Sequence, residues 1–99
     1  MTDKLTQAER AEKITPLLDN GWEMTERRDA IYKKFVFANF VEAFGFMTRA
    51  AIHAEKLNHH PEWSNVYKTV EVTLTTHDAD GLSALDAELG AKLDKLAGG

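Results

Sequence analysis

Apolar and polar residues repeat along the chain with two different periods, and these predict both strands and helices. Residues 30–37 and 70–75 alternate at every second position, as half-buried strands do, and Trp22 to Glu26 is a further strand candidate. The stretch from Trp63 to Thr76 fits either one bent strand or a tight hairpin, which periodicity does not distinguish. Three other stretches repeat apolar residues every three or four positions, as amphipathic helices do. The predicted order is α-β-β-α-β-(β)-α, which indicates an α+β fold.

Helix-capping sequences mark the start of each predicted helix, because a side chain there satisfies a free backbone NH. Three pairs have this spacing: Thr6 with Glu9, Asn39 with Glu42, and Ser83 with Asp86. The first helix is predicted to run from Thr6 to a stop at residues 20–21, with a kink or a tightened last turn at Pro16. The second helix is predicted to end at about Leu57, and the last helix begins at the third pair.

The helix over residues 39–57 has one face that is predicted to be buried. At 100° per residue, that face carries Phe40, Phe44, Met47, Ala51 and Ala54, and the opposite face carries Glu42, Arg49, His53 and Lys56. His53 is therefore interpreted as a surface residue. Phe46 is predicted to lie beside the polar face, where it packs either under a neighbouring loop or against another subunit.

Composition and charge restrict the class of protein. The chain has 99 residues, which predicts a single domain over residues 1–99. Its net charge of −4 argues against nucleic-acid binding, and the absence of cysteine excludes disulfides, thiolate zinc sites and cysteine nucleophiles. No apolar run approaches the roughly 20 residues of a membrane span, and the N-terminus lacks a signal-peptide core. The sequence therefore predicts a small cytoplasmic protein with no membrane or nucleic-acid partner.

Three of the four histidines are candidates for proton transfer. His59 and His60 follow the long helix and His77 follows the strand over residues 70–75, so a turn can bring them together. Histidine is the side chain whose ordinary pKa lies nearest to neutrality. The alternative is that they are polar loop residues and charges at a helix C-terminus. Spacing alone leaves both interpretations open.

Four neighbouring residues are candidates for shaping such a site. Glu55 is predicted to lie on the flank of the buried helix face, where it orients an imidazole, carries a proton itself or pairs with a nearby cation. Pro61 restricts His60 to an extended conformation. Trp63 either lines a pocket for a flat heterocycle or closes the core. Asp86 is most simply a helix cap, although a helix start also favours bound anionic or carbonyl groups.

A metal site and a serine hydrolase are weaker alternatives. Three histidines and a carboxylate are enough ligands for zinc, but adjacent residues of an extended chain point to opposite sides, so His59 and His60 cannot easily chelate one ion. The HExxH spacing is absent. Neither Ser64 nor Ser83 has the sequence context of a nucleophile elbow, and no glycine-rich phosphate loop occurs. The sequence thus favours a site without a metal.

Beside these physical arguments, the chain contains a specific motif. It reads EKLNHHPEW over residues 55–63, followed by Asn65-Val-Tyr67, Thr76-His77, Gly81-Leu82 and Asp86. Together with Gly21-Trp22 and FGFMTR over residues 44–49, this motif closely resembles the pterin-4a-carbinolamine dehydratases, and the likeness covers nearly the whole chain. The main departure is Pro16, which affects only the geometry of the first helix.

The resemblance implies a two-layer α+β fold, in which a four-stranded antiparallel sheet carries helices on one face in the order α-β-β-α-β-β-α. It implies dimers that pair into tetramers, and an activity without a metal or a tightly bound cofactor. That activity is the dehydration of 4a-hydroxytetrahydrobiopterin, a pterin-4a-carbinolamine, to quinonoid dihydropterin, which regenerates the pterin used by aromatic amino-acid hydroxylases. The hypothesis for the catalytic residues is that His60 and His77 act as acid and base and that His59 binds or stabilises the substrate hydroxyl. The substrate-binding residues are expected to be Glu55, Pro61, Trp63 and Asp86.

A non-enzymatic interaction module of the same fold is the alternative function. Some members of the family in animals also act as dimerisation cofactors of a homeodomain transcription factor, so the fold supports partner binding. A protein that only binds a partner would not need Glu55 and the three histidines intact, and here they are intact. The sequence therefore favours the enzyme.

Overall fold

The computed structural model describes residues 3–98, which form four α-helices and four β-strands. The helices are α1 (Gln7–Lys13), α2 (Thr15–Asp19), α3 (Phe40–Leu57) and α4 (Ala84–Leu96), and the strands are β1 (Glu23–Met24), β2 (Ile31–Val36), β3 (Glu62–Val66) and β4 (Thr69–Leu74). A short 3-10 helix, His77–Ala79, follows β4. The predicted α+β fold and the predicted order of its elements are confirmed, apart from the division of the first helix into two.

The four strands form one antiparallel sheet in the order β1-β2-β4-β3. β3 and β4 pair directly, so the stretch from Trp63 to Thr76 contains a hairpin, whose turn at residues 67–68 gives Tyr67 a φ of +53°. The central strands β2 and β4 place Ile31 opposite Leu74, and both side chains are fully buried. Successive strand residues point to opposite faces, so one face of the sheet forms the core with the helices and the other faces outward.

Pro16 divides the N-terminal helix. α1 ends at Lys13 and α2 begins at Thr15, so Ile14 is the cap residue of both helices. Pro16 lies in the first turn of α2, where its missing NH would have no helical partner in any case. Proline therefore starts a new helix here instead of only bending the first one. The three predicted caps are all present, at Thr6, Asn39 and Ser83.

The buried face of α3 differs from the predicted one. Its buried residues are Ala43, Phe46, Ala50 and Ala54. Phe40 and Phe44, which are predicted to be buried, are instead 48% and 57% exposed, and Ala51 is exposed as well. Of the predicted face, Ala54 is buried and Met47 is half-buried against the core. The predicted orientation of the helix is therefore wrong for Phe40, Phe44 and Ala51, and Phe46 belongs to the core of its own chain.

The size of the packing residues explains this orientation. Alanines on the buried face let α3 lie close to α4 and to the sheet, and Phe46 fills the remaining space with its ring centroid 4.9 Å from those of Phe35 and Phe37. His53, which is predicted to lie on the surface, is half-buried on the flank of this face. Although α3 has 18 residues, no helix within residues 3–98 is both long and apolar enough to cross a membrane.

Candidate functional site

A cavity of about 400 Å³ lies between the C-terminal end of α3 and the segment that follows β4. Its walls are formed by Leu57, Asn58, His59, His60, Thr75, Thr76, His77, Asp78 and Leu85. The three predicted histidines therefore share one cavity, which confirms that the chain brings them together. The volume is in the range that holds a small organic molecule.

The backbone at the end of α3 explains why His59 and His60 have different surroundings. Asn58 has left-handed backbone angles (φ +52°, ψ +43°) and ends the helix. The NH of His59 donates to the carbonyl of Ala54 at 3.0 Å, so the chain folds back onto the helix. His59 is consequently only 8% exposed, whereas the side chain of His60 is 58% exposed.

His59 is held by a buried carboxylate. Its Nε2 lies 2.5 Å from Oδ1 of Asp86, which is fully buried in the first turn of α4. The other carboxylate oxygen, Oδ2, accepts hydrogen bonds from the Thr76 hydroxyl at 2.7 Å and from the Ser83 NH at 3.0 Å. The hydroxyls of Ser83 and Thr76 are 2.7 Å apart. Each polar group of this network therefore has a partner, as a polar cluster in the interior requires.

His77 is held by an exposed carboxylate. Its Nε2 lies 3.0 Å from Oε2 of Glu62 on β3. Arg28, in the turn between β1 and β2, donates to both oxygens of the same carboxylate at 2.8 Å each. The Arg28 guanidinium, and after it His77, hold the pKa of Glu62 at about 2. Glu62 is therefore an ionised hydrogen-bond acceptor at neutral pH.

His60 is paired with Glu55, whose Oε1 lies 2.7 Å from the imidazole Nε2. The side chain of Glu55 is 79% exposed, so its predicted position on the flank of the buried face is wrong. The cause is the orientation of α3, which turns Ala54 towards the core and its neighbour Glu55 towards solvent. Each of the three histidines thus has its own carboxylate partner, and the partners differ in burial.

The other predicted site residues lie outside the walls of the cavity. Asp86 is the predicted helix cap and also stands behind His59. Trp63 is half-buried on the core face of β3 and packs against the hydrophobic core, which is one of its two predicted positions. Pro61 is half-buried between His60 and β3. Direct contact of these residues with a ligand stays a prediction.

Two residues behind the cavity have no predicted role. Glu62 lies inside the HHPEW motif, and strand alternation places it on the face opposite to Trp63, so the pattern contains a signal for it. Arg28 precedes Glu62 by 34 positions, and no local pattern connects the two. Thr76 belongs to the motif as well, but only the structure shows that its hydroxyl donates a hydrogen bond to Asp86.

The turn that carries Arg28 is itself anchored. Both oxygens of Asp29 accept hydrogen bonds from Arg10, at 2.8 and 2.5 Å, and Oδ2 also accepts from the Leu82 NH at 3.1 Å. The Arg10 guanidinium lowers the pKa of Asp29. A second cavity of about 470 Å³ lies in this region and shares residues 75–77 with the first one.

The histidine and carboxylate side chains of the site form separate pairs and do not converge on one point, as metal ligands would. Within residues 3–98, no three His, Cys, Asp or Glu side chains come together in a way that could hold a metal ion. Instead, each imidazole in the walls of the cavity contacts one carboxylate through Nε2. Such pairs orient an imidazole and suit it to giving or accepting a proton.

Comparison with known sequences identifies the family. Residues 3–96 match the model of the family described as Pterin 4 alpha carbinolamine dehydratase. A Roseobacter denitrificans protein assigned to this dehydratase is 65% identical over 99% of this chain and 100% of its own length. The pterin-4-alpha-carbinolamine dehydratase of Drosophila melanogaster is 54% identical over 98% of this chain and 50% of its own length.

Comparison with solved structures agrees. A transcriptional coactivator/pterin dehydratase from Brucella melitensis is 44% identical and superposes with a TM-score of 0.88, covering 96% of this chain and 99% of that one. A pterin dehydratase-like protein, described as a RuBisCO assembly factor of the alpha-carboxysome, superposes with a TM-score of 0.70 over 79% of this chain and 90% of that one. At 23% identity, the second likeness shows the fold alone. The chain therefore belongs to the pterin-4-alpha-carbinolamine dehydratase family of lyases.

Proposed function

We propose that this protein dehydrates 4a-hydroxytetrahydrobiopterin to quinonoid dihydropterin and water, with the substrate bound in the 400 Å³ cavity. The observation that carries the proposal is the joint position of His59, His60 and His77 on this cavity, each with its own carboxylate. Family membership supports the activity, and the geometry supports the histidines as the groups that perform it. We assign residues 1–99 to one dehydratase domain that uses neither a metal nor a bound cofactor.

The reaction requires two proton transfers. Hydroxide is a poor leaving group, so the carbinol oxygen takes up a proton while its C–O bond breaks, and it leaves as water. A ring nitrogen loses its proton as the new C=N bond forms, so one proton is consumed and one is released. A positioned acid and a positioned base each contribute about 10²–10⁴ in rate.

We assign the acid and the base to His60 and His77. Their side chains are 58% and 77% exposed, so both can reach a substrate in the cavity and exchange protons with solvent. His59 is nearly buried and is fixed by Asp86, which suits it to bind the substrate hydroxyl. Because Asp86 is fully buried, its contribution to substrate binding passes through His59.

The remaining residues of the motif are assigned supporting parts. Glu55 orients His60 through their 2.7 Å contact. Pro61 limits the conformations of His60, and Trp63 attaches β3 to the core beside the cavity. These parts rest on the contacts of the side chains with the histidines and with the core.

The resemblance to the dehydratase family implies a place for the reaction in metabolism. We propose that quinonoid dihydropterin is returned to the tetrahydrobiopterin used by aromatic amino-acid hydroxylases in the cytoplasm. In a hydroxylase reaction with limiting tetrahydrobiopterin and an added pterin reductase, this chain should prolong product formation. The names of the relatives support the dehydration itself, and the resemblance in the motif supports its place in pterin recycling.

Stopped-flow absorbance with chemically generated carbinolamine tests the activity. We expect the wild-type chain to accelerate dehydration over buffer, and His60→Ala and His77→Ala each to lower kcat by about 100-fold or more. His53→Ala is a matched control, because this half-buried histidine of α3 does not line the cavity. The absence of acceleration by the wild type would overturn the activity. Wild-type rates in both histidine variants would overturn the assignment of the residues.

We also propose that the protein forms homodimers or homotetramers through α3. On the side away from the core, this helix exposes the large apolar residues Phe40, Val41, Phe44 and Ile52, and Val41 is 77% exposed. Several large apolar side chains exposed on one helix are typical of an interface, and two-fold association buries the same face of two copies against each other. This surface also supports the alternative of an interaction module of the same fold.

Light scattering after size-exclusion chromatography tests this self-association. We expect the wild type to have a mass of two or four times 11.1 kDa and Phe44→Glu to have a smaller mass. Val36→Glu is the control, since Val36 is 60% exposed on the sheet and lies outside this face. A wild-type mass of one chain would overturn the proposal.

A further inference from the structure

We propose that Arg28 is a positioning residue for His77: by holding Glu62, it keeps the imidazole proton on Nε2 and leaves Nδ1 free to accept a proton from the substrate. The inference rests on the proposed function, because it gives His77 the part of the base. Arg28 lines the adjoining 470 Å³ cavity and not the 400 Å³ one, and both of its side-chain hydrogen bonds go to Glu62. Its effect on the reaction is therefore assigned to the contact of Glu62 with His77.

The three side chains come from three separate parts of the fold. Arg28 lies in the turn before β2, Glu62 begins β3, and His77 begins the 3-10 helix after β4. The two terminal nitrogens of Arg28 donate to different oxygens of Glu62, and Oε2 also faces Nε2 of His77. Two parallel hydrogen bonds fix the plane of a carboxylate. They therefore also fix the direction in which Glu62 meets the imidazole.

The charge of Glu62 determines which tautomer of His77 fits. With its pKa held at about 2 by Arg28 and His77, Glu62 is ionised throughout the neutral range, and an ionised carboxylate only accepts hydrogen bonds. A neutral His77 must then carry its proton on Nε2 to make the 3.0 Å contact. Among the described residues no hydrogen bond involves Nδ1 of His77, so its lone pair is available.

Solvent exposure is the reason that this pair needs an arginine. The side chains of His77 and Glu62 are 77% and 43% exposed, so water and side-chain rotation compete with a lone contact between them. His59 meets no such competition, because its partner is buried. At His59, burial restrains the imidazole and its carboxylate. At His77, the two charged hydrogen bonds from Arg28 to Glu62 supply this restraint.

The turn that carries Arg28 is fastened on both sides of His77. The carbonyl of Asp29 accepts from the Thr75 hydroxyl at 2.9 Å, and its carboxylate accepts from the Leu82 NH at 3.1 Å. The turn from which Arg28 reaches Glu62 is therefore hydrogen-bonded to the same segment that carries His77. This arrangement lets one guanidinium set the orientation of an exposed imidazole.

Arg28→Gln tests the inference, with Arg27→Gln as the matched control. Arg27 is exposed in the same turn and forms no ion pair with any described residue. At about pH 8, where imidazoles are neutral, two-bond ¹H–¹⁵N NMR reports the tautomer, and His77→Asn assigns the signal. We expect the Nε2–H tautomer in the wild type and in Arg27→Gln, and a mixture of tautomers in Arg28→Gln. An unchanged Nε2–H tautomer in Arg28→Gln would overturn the inference.

Kinetics test whether the orientation is used. We expect Arg28→Gln to lower kcat about tenfold, a part of what a general base supplies, with KM unchanged and only a small fall of the melting midpoint. Arg28→Lys should recover part of the loss because a lysine retains the charge and one hydrogen bond. The double variant Arg28→Gln/Glu62→Gln should be no slower than Glu62→Gln alone, since Arg28 acts through Glu62.

The outcomes separate this inference from the proposed function. Additive losses in the double variant, or an unchanged kcat in Arg28→Gln, would overturn the inference while the wild type remains an active dehydratase. A wild type without dehydratase activity would overturn the proposed function, and the NMR measurement would still decide whether Arg28 fixes the tautomer of His77.

Discussion

The pairs His59–Asp86 and His77–Glu62 have the same chemistry in opposite surroundings. In both, the imidazole Nε2 faces a carboxylate, but Asp86 is fully buried whereas the side chain of Glu62 is 43% exposed. The buried carboxylate is satisfied by donors of the protein interior, and the exposed one is held by a guanidinium. In this fold, a histidine is therefore oriented either by a buried carboxylate or by an exposed carboxylate that an arginine holds in place.

The two ways of orienting a histidine differ in what they contribute to stability. A buried polar group that loses its partners costs much of the free energy of its desolvation. An ion pair in water contributes only about 0–1 kcal/mol. The first pair should therefore couple function to folding, and the second should affect function with little change in stability.

Asp86→Ala is expected to have the largest effect. It leaves the Thr76 hydroxyl, the Ser83 NH and the His59 imidazole without their partner. The free energy of unfolding should fall by about 3 kcal/mol, which urea denaturation followed by circular dichroism measures. Glu88→Ala, at an exposed acid of the same helix, should change it by less than about 0.5 kcal/mol. Equal losses in both variants would contradict the role given to burial.

Asp29→Asn is expected to have an intermediate, pH-dependent effect. The pKa of Asp29 is lowered in the folded chain by Arg10, so the unfolded chain binds its proton first as the pH falls. The stability that Asp29 contributes is therefore present above the ordinary carboxyl pKa and is lost as the pH falls towards the lowered one. We expect a loss of about 1–2 kcal/mol at neutral pH and a smaller one near pH 3, by urea denaturation. Asp19→Asn, at an exposed acid, is the control, and a loss that does not shrink at low pH would contradict the assignment.

Arg28→Gln is expected to change the titration of Glu62 with only a small loss of stability, because the ion pair that it removes is exposed to solvent. The pKa of Glu62, held at about 2 mainly by Arg28, should rise towards its ordinary value, because only His77 still favours the ionised form. Carboxyl ¹³C chemical shifts followed against pH measure this change. The same titration in Arg27→Gln should stay at the wild-type position. A melting midpoint that falls as far as that of Asp29→Asn would contradict the contrast between the two pairs.

Glu55→Gln is expected to have the smallest effect. Both side chains of the pair Glu55–His60 are largely exposed, and an exposed ion pair contributes only about 0–1 kcal/mol. Unlike Glu62, Glu55 accepts no hydrogen bond from an arginine among the described residues. The loss of kcat should therefore be smaller than that of Glu62→Gln in the same stopped-flow assay. A larger loss would show that His60 depends on its carboxylate more than His77 does.

The predictability of the fold varied with the range of the interactions. The caps at Thr6, Asn39 and Ser83 were predictable because their partners lie within three positions. The sequence predicted that the first helix is disturbed at Pro16, but it did not predict whether the helix bends or divides there. A proline is accommodated both at a kink and in the first turn of a new helix. The orientation of α3 was not predictable, since the helix is apolar on two faces and the larger side chains lie on the outer one.

The candidate site shows the same division. His59, His60 and His77 were identifiable as candidates from the motif and from the chain reversal that joins them, and the structure places all three on one cavity. The position of Glu62 within the HHPEW motif indicates that it belongs to the site, whereas no local sequence pattern indicates this for Arg28. The burial of Asp86 and the exposure of Glu55 appear only when α3 and α4 are packed.

The sequence by itself determined the order of the elements, the helix starts and the histidines of the candidate site. These depend on short-range periodicity and on residue types within a few positions of one another. Only the tertiary structure decided which face of α3 is buried, which carboxylate holds which histidine, and that Arg28 stands behind His77. The reason is physical: the contacts His77–Glu62, His59–Asp86 and Arg28–Glu62 join residues 15, 27 and 34 positions apart. Close packing of side chains selects such contacts, and a local sequence pattern does not contain the information about that packing.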